Sequence, residues 1–99
     1  MILGNVKPSA GNITLLYSNN AVVGNLFFTN QSSNQDNVSV ALTSNPLYIP
    51  TGNSYIISNI TIVSNYTKGV SDIYIGEGQA LFVYSQYGTT NFIYTGILF

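Results

Sequence analysis

The 99-residue sequence contains no cysteine and no histidine. The first absence removes disulfides and thiolate metal sites, and the two together exclude the usual zinc sites, which draw on those side chains. Charge is scarce as well. Lys7, Lys68, Asp36, Asp72 and Glu77 make up 5% of the chain and leave a net charge of −1, against about 25% charged residues in an ordinary globular protein. Two basic side chains cannot neutralise a row of phosphates, so no nucleic-acid partner is expected. Three carboxylates offer little acid–base chemistry: Asp72 and Glu77 would point to opposite faces of a continuous strand, and Lys68 and Ser71 flank a turn. The chain therefore reads as a non-enzyme with no cofactor. A calcium ion would need about six to eight oxygens, and no loop carries a run of acids. No stretch approaches the ~20 apolar residues of a membrane-crossing helix, so no membrane partner is expected. The opening MILGNVKPSA lacks the basic and apolar regions of a secretory signal. Synthesis is thus expected in the cytoplasm, as a complete gene product starting at Met1.

What the sequence does contain is neutral polarity, with Asn, Ser, Thr, Gln and Tyr wetting the surface in place of charge. Such a surface offers little electrostatic resistance to self-association, and we expect a homo-oligomer. The length suits one domain, able to bury about two thirds of its unfolded surface.

Alternating apolar and polar residues, broken every few residues by Asn, Ser, Pro and Gly, predict about eight strands and no helix. The fold class expected is all-β: a single antiparallel β-sandwich, jelly-roll-like. Residues 1–11 read as an extended amino-terminal arm, because Pro8 biases Lys7 toward extended geometry and lacks a donor; residues 12–99 form the sandwich. Strands are predicted over Asn12 to Tyr17, with Ile13, Leu15 and Tyr17 on one face, and over Ala21 to Asn30, with Gly24 at a bulge or close backbone approach. The polar run QSSNQDN over 31–37 is a loop. Val38 to Thr43 follows as a strand, then a short strand Leu47 to Ile49. The stretch Ser54 to Ser64 puts Ile56, Ile60 and Ile62 on one face, and Val70 to Ile75 carries Asp72 outward. Val22 to Leu26 echoes Ile56 to Ile60, but two buried strands in an Asn-rich chain look alike without any duplication. The segment Gly76 to Phe99 reads as a β-hairpin, with strands Ala80 to Ser85 and Phe92 to Leu98 joined through Gly88. In it Phe82 is expected as a core aromatic.

The run ALFVYS, a short polar loop and NFIYTGI resemble the closing segment of a family of small β-rich virion structural proteins of tailed bacteriophages. Leu47, Tyr48, Ile49, Pro50, Thr51, Gly52 and Asn53 resemble the family's LY-x-x-P-x-G-x entry, and Ile56 through Asn65 resemble one of its strands. The resemblance implies location in the virion and, most simply, a capsid decoration or cement protein. Such a protein binds the outside of the particle as a homo-oligomer, with a trimer favoured, and its partners include the major capsid protein. A neck, tail or tail-fibre component is the alternative. A third reading is a glycan- or receptor-binding module.

Two loop aromatics are the candidates for recognition. Tyr66 and Tyr87 each offer a flat apolar ring with a hydroxyl that can stack on a sugar; packing at a subunit contact is the plainer role for both. The five Asn-x-Ser/Thr triplets, at Asn12, Asn30, Asn37, Asn59 and Asn65, are chance matches in this composition. The apolar end Ile97, Leu98 and Phe99 is expected to be paired in the sheet and covered by the core or by a neighbouring subunit, since an exposed version would be a sticky edge.

Overall fold

Eight strands form where the alternation predicts an all-β chain: β1 (Ile2–Val6), β2 (Thr14–Ser18), β3 (Val22–Asn30), β4 (Asp36–Thr43), β5 (Tyr55–Ile62), β6 (Thr67–Ile75), β7 (Ala80–Ser85) and β8 (Thr90–Leu98). A 3-10 turn, Gly52–Ser54, precedes β5. The computed structural model describes residues 1–98; the expectation for Phe99 lies outside them. The strands make two antiparallel four-stranded sheets, ordered β1-β8-β3-β6 and β2-β7-β4-β5.

That order has a simple origin. β1 pairs with β8, β2 with β7, β3 with β6 and β4 with β5, so the chain is one long antiparallel ribbon that doubles back between β4 and β5. Successive rungs of the ribbon fall in opposite sheets. Rolling it up brings β8 beside β3 and β7 beside β4, which closes the sandwich as a jelly roll.

The core lies between the sheets. Val22, Leu26 and Phe28 of β3, Phe92 and Tyr94 of β8, Val38 and Val40 of β4, and Leu81 and Val83 of β7 are buried there. The Phe28 and Phe92 rings meet at 5.4 Å and 32°. Tyr94 brings a hydroxyl into this apolar layer and donates it to the Ile73 carbonyl at 2.7 Å. Burial, with Tyr17 beside it as a lesser cause, pushes the Tyr94 phenol up to about 12.

Several local expectations are corrected. β7 and β8 are not a hairpin: they belong to different sheets, and the 86–89 connection crosses between them. Phe82 lies half-buried on the outer face, opposite Ala41 and Leu15, whereas its neighbours Leu81 and Val83 point inward. Residues 2–6 of the expected arm form β1, paired to β8, and only 7–13 are a connection. Leu47 to Ile49 is not a strand and lies in the long connection between β4 and β5.

Bulges account for the shifted faces. In β2 the register slips between Leu15 and Tyr17, so Leu16 is buried while Leu15 is exposed. In β5, Val38 opposes Ile60 but Val40 opposes Ile57, which places three β5 steps against two. Asn59 absorbs the extra residue at φ 51, a left-handed conformation that Asn and Asp tolerate best, and its N–H donates to Ser39 Oγ at 2.8 Å. Ile57 and Ile60 therefore both pack on the core while Ile56 turns outward. β6 repeats the device. Asp72 sits at φ 59 and its N–H donates to Asn25 Oδ1 at 3.2 Å, where Gly24 opposes Ile73 and Leu26 opposes Val70.

At the centre of the first sheet Gly24 faces Gly96. A Cβ on Gly24 would lie 2.0 Å from the Thr95 carbonyl oxygen, and one on Gly96 would lie 2.3 Å from that of Val23. Only glycine at both positions lets β3 and β8 approach this closely.

Candidate functional site

The roll gathers four connections at one end of the sandwich: 7–13, 31–35, 63–66 and 86–89. Tyr66 and Tyr87, far apart in sequence, are thus carried to the same end, each about half exposed. The backbones around them are stitched together. Asn30 N–H donates to the Tyr66 carbonyl at 3.1 Å, and Gln31 N–H to that of Thr89 at 2.8 Å.

Two fully buried polar side chains organise this end. Asn30, the last residue of β3, donates its amide to the carbonyls of Asn34 at 2.7 Å, Ile62 at 3.1 Å and Val63 at 3.4 Å. Its oxygen accepts from Ser32 N–H at 3.1 Å and Thr89 Oγ1 at 2.9 Å. One side chain therefore ties three connections. Asp36, the first residue of β4, accepts from Ser85 Oγ, from Thr90 Oγ1 at 2.6 Å, from Tyr87 N–H at 3.0 Å and from Asn37 N–H at 2.9 Å. Ser85 ends β7 and Thr90 begins β8, so the carboxylate bridges the two sheets. Burial opposes its ionisation, but the donors from Ser85, Thr90, Tyr87 and Asn37 outweigh that and hold its pKa below the ordinary value.

Neither hub is a candidate site residue on the sequence alone. Asn30 closed a strand and Asp36 sat in the polar run 31–37; the one available signal was a lone acid abutting an apolar strand in a chain with three acids.

Above these hubs Ser32, Asn34, Gln35, Tyr87 and Thr89 line a cleft of about 400 Å³. Tyr87 forms part of it and Tyr66 does not. Gly88, at φ 71, lets the 86–89 connection turn, and a Cβ there would press on Ala10 N at 2.8 Å. A second, more open depression of about 560 Å³ lies at the opposite end, lined by Leu42, Thr43 and the 44–54 connection. In that connection Leu47 and Ile49 are 88% and 81% exposed. Among the described residues no group of three or more acids could hold a metal ion, and the Asp36 carboxylate is fully engaged by its donors.

The end of β8 is paired, as Val22 opposes Leu98 and Val23 opposes Ile97. Among the described residues nothing covers it: Ile97 is 64% exposed and Leu98 49%. Ile97 belongs to a row on the outer face of the first sheet, where Val23 opposes Ile97, Phe27 opposes Ile93, and Ile2 opposes Thr95. β1, β8 and β3 carry no charged residue, so their outer face is neutral, with the apolar pairs alternating with the polar pairs Asn25–Thr95 and Thr29–Asn91. The charges of this sheet, Lys68 and Asp72, are on the edge strand β6. No protein-family model, curated protein or solved structure matches the chain.

Proposed function

We propose that this chain is a non-enzymatic structural subunit of a tailed-bacteriophage virion: a capsid decoration protein that binds the outside of the particle as a homo-oligomer, with a trimer favoured. The observation that carries the assembly is the neutral outer face of β1, β8 and β3. Ile2, Phe27 and Ile97 are between 43% and 64% exposed, so each would contribute about half of the ~1.5–3 kcal/mol of a full burial, and these three strands carry no charge to repel an identical copy. Size is sufficient. The molecule measures 38 × 27 × 18 Å, and the flat side of such a slab exceeds the ~800 Å² per partner of a standard stable interface. The sequence resemblance to phage virion proteins supplies the setting. Jelly rolls occur in viral capsid proteins, an analogy of fold alone.

Sedimentation of the purified protein at micromolar concentration tests the assembly. The wild type should sediment as an oligomer and Phe27→Asp as a folded monomer. A wild type that stays monomeric at all concentrations overturns the reading. Quantitative mass spectrometry of particles then decides the position: shell-like abundance supports decoration, and the few copies of a ring support the neck or tail.

A further inference from the structure

We propose that the cleft between the 31–35 and 86–89 connections is a binding site for a neutral carbohydrate, with Tyr87 as its stacking platform. Ser32, Asn34, Gln35, Tyr87 and Thr89 line it. Thr89 gives its hydroxyl proton to Asn30 and Ser32 Oγ accepts from Asn34 N–H, which leaves the exposed amides of Asn34 and Gln35, the Ser32 hydroxyl proton and the ring of Tyr87 to meet a ligand. That is the chemistry a sugar requires: a flat apolar surface for the C–H face of a pyranose, and neutral donors and acceptors around it for its hydroxyls.

The same residues select against other ligands. No lysine or arginine lines the cleft, and the buried Asp36 carboxylate lies beneath it, bonded to Tyr87 N–H at 3.0 Å. A phosphate, nucleotide or acidic sugar would meet a negative charge with nothing to balance it. The lining also lacks the aliphatic walls of a lipid or drug-like pocket.

The site is held in shape before any ligand arrives. Asn30 fixes Ser32, Asn34 and Thr89 through its side chain, and Asp36 fixes the backbone of Tyr87. Asn34 N–H adds a bond to Ser32 Oγ at 3.1 Å. These contacts engage mostly backbone, so the Asn34, Gln35 and Tyr87 side chains stay exposed to the cleft. Little conformational freedom remains to be lost on binding. The cleft is at the end of the sandwich and the neutral sheet face is on its side, so the site does not depend on the assembly reading and several copies could engage one polymer together.

Titration of the ¹⁵N-labelled protein with maltotriose, cellotriose, chitotriose and mannotriose, each to roughly 10 mM, is the test; millimolar affinity is ordinary for a single open site. At least one neutral sugar should shift the amides of Ser32, Asn34, Gln35, Tyr87 and Thr89, and sialyllactose should not. Tyr87→Ala should weaken that binding about tenfold or more, with an unchanged melting temperature, while Tyr87→Phe should retain it within about threefold. Asn34→Ala, which removes one of the exposed side-chain amides from the rim, should weaken it as well. Retention of the protein on neutral mannan, with weak binding of mannotriose, would identify a surface polysaccharide as the source; equal affinity per site would identify free oligosaccharide. No shift with any neutral sugar, a shift with sialyllactose alone, or wild-type binding by Tyr87→Ala overturns the proposal.

Discussion

Replacing Asp36 with alanine removes one acceptor shared by four donors. Two of them, the hydroxyls of Ser85 and Thr90, belong to residues with no exposed surface. The other two, the N–H groups of Tyr87 and Asn37, lie nearer solvent and can be rescued by water. At about 1–3 kcal/mol for each buried donor left unsatisfied, the hydroxyls alone imply a loss of about 2–6 kcal/mol, a large part of the ~5–15 kcal/mol available to a domain. Asp36→Asn keeps the shape, and its amide can donate to the hydroxyl oxygens while its carbonyl accepts from the two N–H groups, so its loss should be about 1–2 kcal/mol. The pH dependence separates charge from shape. The folded pKa of Asp36 is depressed, so its contribution is complete above the unfolded value of about 3.9 and is lost as pH falls through the lower folded value. Urea denaturation at neutral pH and at intervals below about pH 4 should show the wild type losing more stability on acidification than Asp36→Asn does. An alanine variant within about 0.5 kcal/mol of wild type, or identical acid profiles for wild type and Asp36→Asn, would refute this account of the bridge.

Gly24→Ala should be strongly destabilising, by about 3 kcal/mol or more, because its Cβ would meet the Thr95 carbonyl at 2.0 Å, whereas Gly52→Ala, with nothing within 4 Å, should melt like wild type. Leu81→Ala should lose about 2–5 kcal/mol in chemical denaturation as a buried truncation. Phe82→Ala, on the half-buried outer face, should lose less than Leu81→Ala; the reverse order would mean that the faces of β7 have been exchanged.

Much of the fold was legible because burial follows side-chain alternation. β7 appears in the sequence with its bounds intact, and Val22, Leu26 and Phe28 declare the inner face of β3. Alternation fails wherever a backbone step breaks the period of two. Asn59 and the slip after Leu15 do so, and nothing in their side chains distinguishes them from Asn and Leu residues in regular strands. β1 is not legible in the sequence because Gly4 and Asn5 weaken its pattern, and its strand character comes from pairing with β8 at the far end of the chain. The apparent hairpin of β7 and β8 failed for the complementary reason: a short connection is equally compatible with turning back and with crossing to the other sheet. For the candidate site, Tyr87 was legible as a loop aromatic. Asn30 and Asp36 were not, because a buried polar residue and a solvated one are the same letters until the sheets close over them.

The ribbon of paired rungs also sets an order of folding. Joining β1 to β8 directly would close a loop of almost the whole chain, an entropic penalty that grows with loop length. Started from β4 and β5, the ribbon avoids it. With that rung in place, β3 and β6 need close only the 31–35 and 63–66 connections, then β2 and β7 the 19–21 and 76–79 connections, and β1 and β8 the 7–13 and 86–89 connections. One improbable encounter becomes a zipper of short closures. Changes in the 44–54 connection should therefore act on the rate of folding, and changes at β1 on the rate of unfolding. Amide exchange should begin at β1, the last rung to close and the first to open.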